Sequence, residues 1–511
     1  MKQKLRELFW LLILACLWAP AHAMDLDILA ERAESMADEP WQPLLAQPAL
    51  ANLDYDQYRA IRFDPERALW GEDSGFRVQF FHPGFLFTDA VRIHQVENER
   101  AQELRFDPSR FRFDSPLDGP PVAASEAFGY AGFRVHYPIN HPEVHDEFLV
   151  FLGASYFRLI GQDQVYGLSA RGLALDTGGN GAEEFPVFRE FWLKRPEPGE
   201  TTLRILALLD SPSVTGAYAF EVEPGDPSTM LVDARLFARR DLERPGIAPL
   251  TSMFTHGDTG PALVDDFRPR VHDSDGLLVV SSRGEAQWRP LSNRARVRLS
   301  GFHDESAPDG FGLLQRRQEF EDFRDLEARY DRRPGKWIEP LDGDWGAGRV
   351  ELVEIPTADE TFDNIAAFWV PDRPILAGES RRFQYRLSTV SGTVNNGSLA
   401  RVRATHAGRD GIPGEDSWRE RWQRRFVVDF YGLGLIDPDA VELSAKTSAG
   451  ELLEARLERL PQDGMARAVI ALAPDENGVP SDLRVSLHDN SRPLSEVWTL
   501  VWYPDELDRQ L

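Results

Sequence analysis

The chain has 511 residues, a formal charge of −26 and a single cysteine, Cys16. The acidity excludes a surface built for nucleic acid or anionic lipid, because both need the opposite sign. The cysteine count excludes disulfides, thiolate metal sites and cysteine nucleophiles beyond residue 16, while the length suffices for a large core and two or more domains.

Lys2, Lys4 and Arg6 precede an almost wholly apolar run over 8–20, and Ala21, His22 and Ala23 form a small-x-small pattern before the polar residues from Met24 onward. This is the layout of a cleaved secretory signal over 1–23. The apolar run falls short of the ~20 residues that a spanning helix needs. The expectation is an exported, soluble protein beginning near Met24. A lipoprotein, with Ile13, Leu14 and Ala15 ahead of Cys16, is the weaker alternative. Without residues 1–23 the charge is about −28, which repels nucleic acid and leaves a neutral sugar unaffected.

Leu26, Leu29, Ala30, Ala33 and Ala37 recur at helical spacing, and so do Phe320, Phe323, Leu326 and Tyr330. Most other segments alternate. Phe133, Val135 and Tyr137 point one way with Arg134 and His136 between them; Ala295, Val297 and Leu299 alternate with arginines; Leu483, Val485 and Leu487 repeat the pattern. Alternation broken often by Gly, Pro, Asp and Asn predicts many short strands and a mainly β, sandwich architecture. Two polar, glycine-rich stretches, SGTVNNGS at 391–398 and GRDGIPGE at 408–415, mark a boundary. The expected domains are a large β-sandwich over 24–390, a linker over 391–412 and a small β-sandwich over 413–511.

Several motifs fail as chemistry. His141 and His145 have the spacing of zinc ligands on a helix, but Pro142 and the strand pattern predict a surface loop. The glycines at 178, 179 and 181 lack the lysine and hydroxyl of a phosphate loop, and no Gly-x-Ser-x-Gly occurs. No metal site and no cofactor are expected. Two acidic turns stand apart because each adjoins an apolar strand. One holds His272, Asp273, Ser274 and Asp275 ahead of 277–280; the other holds Asp359, Glu360 and Asp363 ahead of 365–370. Burial there can raise one carboxyl pKa and leave the other low, which is what glycoside hydrolysis requires. Ordinary turn aspartates are the alternative. The 13 Trp and 31 Phe include aromatics mixed with polar neighbours, as at Tyr156, Trp192, Trp288 and Trp345. Such faces suit a sugar ring, although core packing accounts for most aromatics.

The runs AGFRVHYPIN (131–140), LGASYFR (152–158), QVYGLSARGL (164–173), EFP (184–186), EFW (190–192), LDSP (209–212), APLTSMF (248–254), HDS (272–274), GFGLLQR (310–316) and VELVEIPT (350–357) resemble the periplasmic glucan biosynthesis proteins G and D. The likeness weakens beyond about 390, and the absence of a twin arginine in the signal favours the G branch. The resemblance implies a large sandwich similar to galactose mutarotase followed by an immunoglobulin-like sandwich, in a periplasmic protein acting on osmoregulated glucans with a β-1,2-linked glucose backbone. It further implies an inverting endo-β-1,2-glucanase activity, with the general acid at Asp363, the general base at Asp273 acting through a chain of waters, and Glu360 and Tyr330 beside them. Candidate substrate-binding residues are Tyr156, Tyr166, Arg171, Trp288 and Trp345. The implied partners are the β-glucan and the inner-membrane glucan synthase, with a homodimer one possible assembly. The chain departs from the family at Thr255, His256 and Gly257. A glucan-binding accessory role without cleavage is the alternative function; a mutarotase-like epimerase is a poorer third.

Overall fold

In the computed structural model the described residues are 24–44, 48–71, 74–117, 119–121, 129–179, 181–260, 265–394, 397–411, 423–434, 440–462, 464–490 and 492–505. The expected signal over 1–23 and part of the expected linker lie outside them. Among the described residues no helix is long and apolar enough to cross a membrane.

The expected alternation appears as strands. Gly132–His141 buries Phe133 and Val135, and Ser481–Asp489 buries Leu483, Val485 and Leu487. His141 and His145 flank the tight turn between Gly132–His141 and Val144–Leu152. The first helix, Leu26–Ala37, forms as its spacing predicts and is capped by Asp25, whose side chain accepts from Ile28 N. Its Leu29, Ala30 and Ala33 pack on Trp192, Leu208 and Ala217 of the sheet beneath.

Two expectations are corrected. The helical spacing of Phe320 to Tyr330 gives only Phe320–Phe323, stopped by Arg324 in a left-handed conformation at φ 58°. Asp325 then accepts from Glu327 N and Ala328 N, which holds the backbone in a turn instead of a helix. The alternation at 294–299 becomes a strand only from Arg298, and Val297 and Leu299 are exposed. Two of the arginines point inward: Arg294 pairs with buried Glu354, and the Arg298 guanidinium lies 3.9 Å from the Tyr503 ring centre, while Arg296 stays exposed beside Asp505.

Two large sheets face each other. A ten-stranded sheet runs from Arg77–Phe81 through Gly132–His141, Tyr156–Leu159, Ser169–Arg171, Pro245–Ser252 and Ile365–Pro371 to the edge strand Arg298–Asp304. A fifteen-stranded sheet includes Val187–Lys194, Val214–Glu223, Ser380–Val390, Gly335–Gly343, Gly310–Leu314 and Gly276–Val280. The main core between them is aromatic, with Phe151 packing edge-on to Phe220 at 5.2 Å. The longer sheet continues into the C-terminal strands. Ala286–Pro290 pairs in parallel with Val497–Trp502, setting Trp288 beside Trp498. A second core lies between this end of the sheet and a four-stranded sheet that includes Arg424–Tyr431 and Met465–Ala473.

The shared strands are therefore apolar on both faces. In Gly276–Val280, Leu277 and Val279 enter the main core while Leu278 enters the second, and Trp337 and Ile338 divide in the same way. This explains the unbroken apolar run at 277–280, because a strand covered on both faces does not alternate. Gly276 makes the approach possible: a Cβ there would lie 2.1 Å from the Trp288 ring. Arg316 crosses the same junction, with its guanidinium 3.6 Å from the Trp288 ring centre and bonded to both carboxylate oxygens of the fully buried Glu496.

Lys336, next to Trp337, points into the main core and donates from Nζ to the Leu159 carbonyl. Burial, reinforced by Arg158, pulls its pKa down to about 7. The folded state thus binds fewer protons than the unfolded chain between about pH 7 and the ordinary lysine range, and stability rises with pH across that window. Lys336→Met should remove this rise. Urea unfolding at pH 7 and pH 9.5 should show the variant gaining most over wild type at pH 7, and equal differences at both values would contradict the burial assigned to Lys336.

Candidate functional site

Three turns meet at one edge of the main sandwich. The first follows the two-residue strand Val271–His272, which pairs with Phe254–His256 and brings His272 opposite Phe254. The two rings stack 5.2 Å apart and 8° from parallel. Asp273 comes next, and its backbone N donates to the Met253 carbonyl at 2.8 Å. The second turn joins Gly348–Glu354 to Ile365–Pro371 and carries Asp359, Glu360 and Asp363. The fully buried Asn364 docks it: its Oδ1 accepts from Phe254 N at 2.8 Å, and its Nδ2 donates to the carbonyls of Phe254 and Ile355 at 3.0 and 2.9 Å. The third turn holds Tyr330–Arg332 and Arg333. Buried Gln315 ties it to the first, donating from Nε2 to the carbonyls of His272 and Tyr330, while His272 Nδ1 donates to Gln315 Oε1 at 2.9 Å. Burial lowers the His272 pKa to about 3, so the ring is neutral.

Asp273 and Asp363 are brought together. Asp363 is half-buried, and desolvation pushes its carboxyl above the usual range; the charge of Asp273 adds to this, against Arg158, Arg171 and Arg333. Asp273 is 4% exposed, and desolvation raises its pKa also. Arg333 opposes that rise by donating from Nη1 to Asp273 Oδ1. The flanking His272, Ser274 and Asp275 predict a polar setting for Asp273, and Glu360, three residues before Asp363, predicts the like charge that raises it; the structure corrects both. The surroundings of Asp273 are buried rather than polar, so its ionised form depends on Arg333. The like charge that raises Asp363 is Asp273; Glu360 acts on Asp273 and Tyr330 instead.

Tyr330 is buried and donates from Oη to Glu360 Oε2 at 3.0 Å. Arg268 Nη1 reaches the same oxygen at 2.8 Å, and its guanidinium also pairs with Asp266 and Asp325. Arg333 lies 4.1 Å over the Tyr330 ring and is fixed by two bonds to the Ala328 carbonyl. Gly167 clears its path, since a Cβ there would come within 2.9 Å of the Arg333 side chain. Beside Glu360 opens a cavity of about 380 Å³ lined by His256, Asp266, Arg268, Asn293, Thr357 and Asp359.

Tyr156 and Arg171 are direct neighbours on adjacent strands, with the guanidinium 4.5 Å over the ring. Arg171 also pairs with Glu183. Burial pushes the Tyr156 pKa up to about 12, and the charge of Asp363 adds to it, placing this pair on the Asp363 side of the site. Tyr166 is half-buried against the main core, its hydroxyl within the influence of Glu147 and Arg158. Trp288 and Trp345 do not join the site. Each is 3% exposed. Trp288 lies in the second core under Arg316, and Trp345 packs edge-on to Phe383 and Tyr385 while donating from Nε1 to two carbonyls. Exposed aromatic faces here include instead Phe362, next to Asp363, Phe267, between Asp266 and Arg268, and Phe185, with the Arg171 guanidinium 5.4 Å from its ring centre. Arg333, Arg158, Arg268, Gln315 and Asn364 were not singled out in the sequence; a buried charge needs a partner, and that requirement was the available signal for the arginines. Among the described residues no group of three or more His, Cys, Asp or Glu converges as a metal site.

The family model described as "Periplasmic glucan biosynthesis protein, MdoG" matches residues 24–502. Glucans biosynthesis protein G of Rhodopseudomonas palustris is 45% identical over 485 residues, covering 94% of this chain and 93% of the relative. The protein of the same name from Cereibacter sphaeroides is 43% identical, covering 95% and 90%, and that of Vibrio cholerae is 41% identical, covering 95% and 88%.

Asn364→Ala should leave three buried backbone groups unpaired and destabilise the fold by about 3 kcal/mol in urea titration. A change within about 0.5 kcal/mol, ordinary for a surface substitution, would show that the acidic turn is held by something else.

Proposed function

Since this chain belongs to the family of periplasmic glucan biosynthesis proteins, we propose that it works in the periplasm on the β-1,2-linked glucose backbone of an osmoregulated glucan and cleaves it with inversion. The observation that carries this reading is the coupled carboxyl pair: Asp363 raised by burial and by Asp273, and Asp273 paired with Arg333. In such a pair the charge of one carboxyl favours a proton on the other, while Arg333 favours the ionised form of Asp273; an acid and a base acting on opposite sides of one bond need this division.

Asp363 gives its proton to the glycosidic oxygen as the bond from C1 to that oxygen breaks. Water adds to C1 from the opposite face, and its proton passes to Asp273. The consumed water ends as the new anomeric hydroxyl, and exchange with solvent returns both carboxyls to their starting states. Because Asp273 is 4% exposed and held by Arg333, the proton reaches it along a chain of waters. Tyr330 and Glu360 order that region, and Tyr156 with Arg171 receives a sugar on the acid's side. The same reading takes the larger sandwich to be of the galactose-mutarotase type and the C-terminal one to be immunoglobulin-like, with the nascent glucan received from an inner-membrane synthase.

The enclosure of Asp273 also favours a second reading, an accessory protein that binds the glucan and guides it without cutting. Wild type and Asp363→Asn, incubated with linear β-1,2-glucan, separate the two. Wild type should shorten the polymer, and the variant should lose at least about a hundredfold in rate, as expected for a general acid, with glucan affinity retained. An inert wild type would favour the accessory role, and a fully active variant would remove Asp363 as the acid.

A further inference from the structure

A groove of about 390 Å³, comparable to the cavity beside Glu360, lies on the C-terminal side of the molecule. Its floor is the outer face of two paired strands, Glu442–Thr447 and Ser481–Asp489, and its wall is the turn at Arg283 and Glu285 between Gly276–Val280 and Ala286–Pro290. The register sets Ser444 opposite Ser486 and Lys446 opposite Arg484. Two like charges directly opposite each other destabilise a sheet. Arg484 is partly offset by Glu285, in a pair about two-fifths exposed on each side. Arg283 pairs with Glu305 at the surface. Lys446 is exposed with Arg484 directly opposite it, and the acids on the same face are Glu442, opposite His488, and Asp482, two positions from Arg484. Ser486 and His488 share a hydrogen bond at 2.8 Å on the same face, and Ala286, Pro493 and Val497 provide an apolar patch. In a protein carrying −26, a groove lined by Arg283, Lys446 and Arg484 against the one acid Glu285 holds a local excess of positive charge.

We propose that this groove is a binding site for a phosphate monoester of a small sugar. Lys446, Arg484 and Arg283 converge on the phosphate, the serine hydroxyls and His488 complete its hydrogen bonding, and the apolar patch receives the C–H face of the ring. Exposed ion pairs contribute little to stability, so the two arginines can exchange their carboxylates for a dianion with charge-assisted bonds. The site is separate from the Asp273 and Asp363 turns, and its occupancy is independent of cleavage.

Isothermal titration of the full-length mature protein at low salt with glucose 6-phosphate, glucose and inorganic phosphate tests this. Glucose 6-phosphate should bind with saturation by about 10 mM, inorganic phosphate should compete, and glucose alone should not bind there. Lys446→Met should weaken binding about tenfold, the loss of one charge-assisted bond, whereas Lys446→Arg and Asp363→Asn should keep it. Thermal unfolding of Lys446→Met should match or exceed wild type because the like-charge pair is relieved, which separates lost binding from lost folding. Absence of glucose 6-phosphate binding, equal binding of glucose, or wild-type affinity in Lys446→Met would overturn the proposal.

Discussion

The site depends on a very short ladder. Phe254 and His272 pair across two strands of three and two residues, too small to persist alone. Two buried amides make it rigid. Asn364 completes the hydrogen bonding of Phe254 on both backbone groups, and Gln315 occupies the His272 ring, the His272 carbonyl and the Tyr330 carbonyl. Each amide reaches from one turn to another, so three segments far apart in sequence are fixed relative to one another by groups that cannot leave without exposing unpaired backbone. A carboxyl pair whose protonation depends on mutual charge requires this kind of fixed spacing, since Coulomb interaction falls with distance and with access of water.

The ladder is in turn supported from behind by the junction of the two sandwiches. Asp275, two residues after Asp273, accepts from the backbone N of Arg316 and Arg317 through one oxygen. Burial pushes its pKa up to about 6. Arg316 then reaches Glu496 and the Val402 carbonyl, and Arg317 reaches Asp258 and Asp322. The turn bearing Asp273 is thus continuous, through hydrogen bonds and ion pairs, with the C-terminal strands. Removing one partner of the Arg316 and Glu496 pair would leave a buried charge unopposed, which couples the integrity of the second core to the geometry of the site.

The strands, the first helix and the two acidic turns were legible because each has a local signature: alternation, helical spacing, or acids against an apolar run. The segment at 320–330 was misread because Asp325 captures backbone N–H groups that a helix would otherwise use. Arg294 and Arg298 were misread because alternation reveals two faces without saying which is buried; there Glu354 and Tyr503 draw these two side chains inward. Trp288 and Trp345 were misplaced for the same reason. Their polar sequence neighbours belong to the opposite face of a strand or to a turn, and the rings themselves enter the cores. The role of Arg333 was hidden because its partner, Asp273, is 60 positions away, and only the fold brings them into contact.

The central claim is that the two carboxyls are held close enough for the charge of one to set the protonation of the other. The most direct measurement is the titration of the Asp363 side chain, followed by carboxyl carbon resonance in protein labelled at aspartate, in wild type and in Asp273→Asn. Removing the Asp273 charge removes a contribution that raises Asp363 and leaves Arg333 unopposed, so the Asp363 midpoint should move to lower pH in the variant. A midpoint that stays where it is in wild type would show that the two groups act independently and would contradict the account.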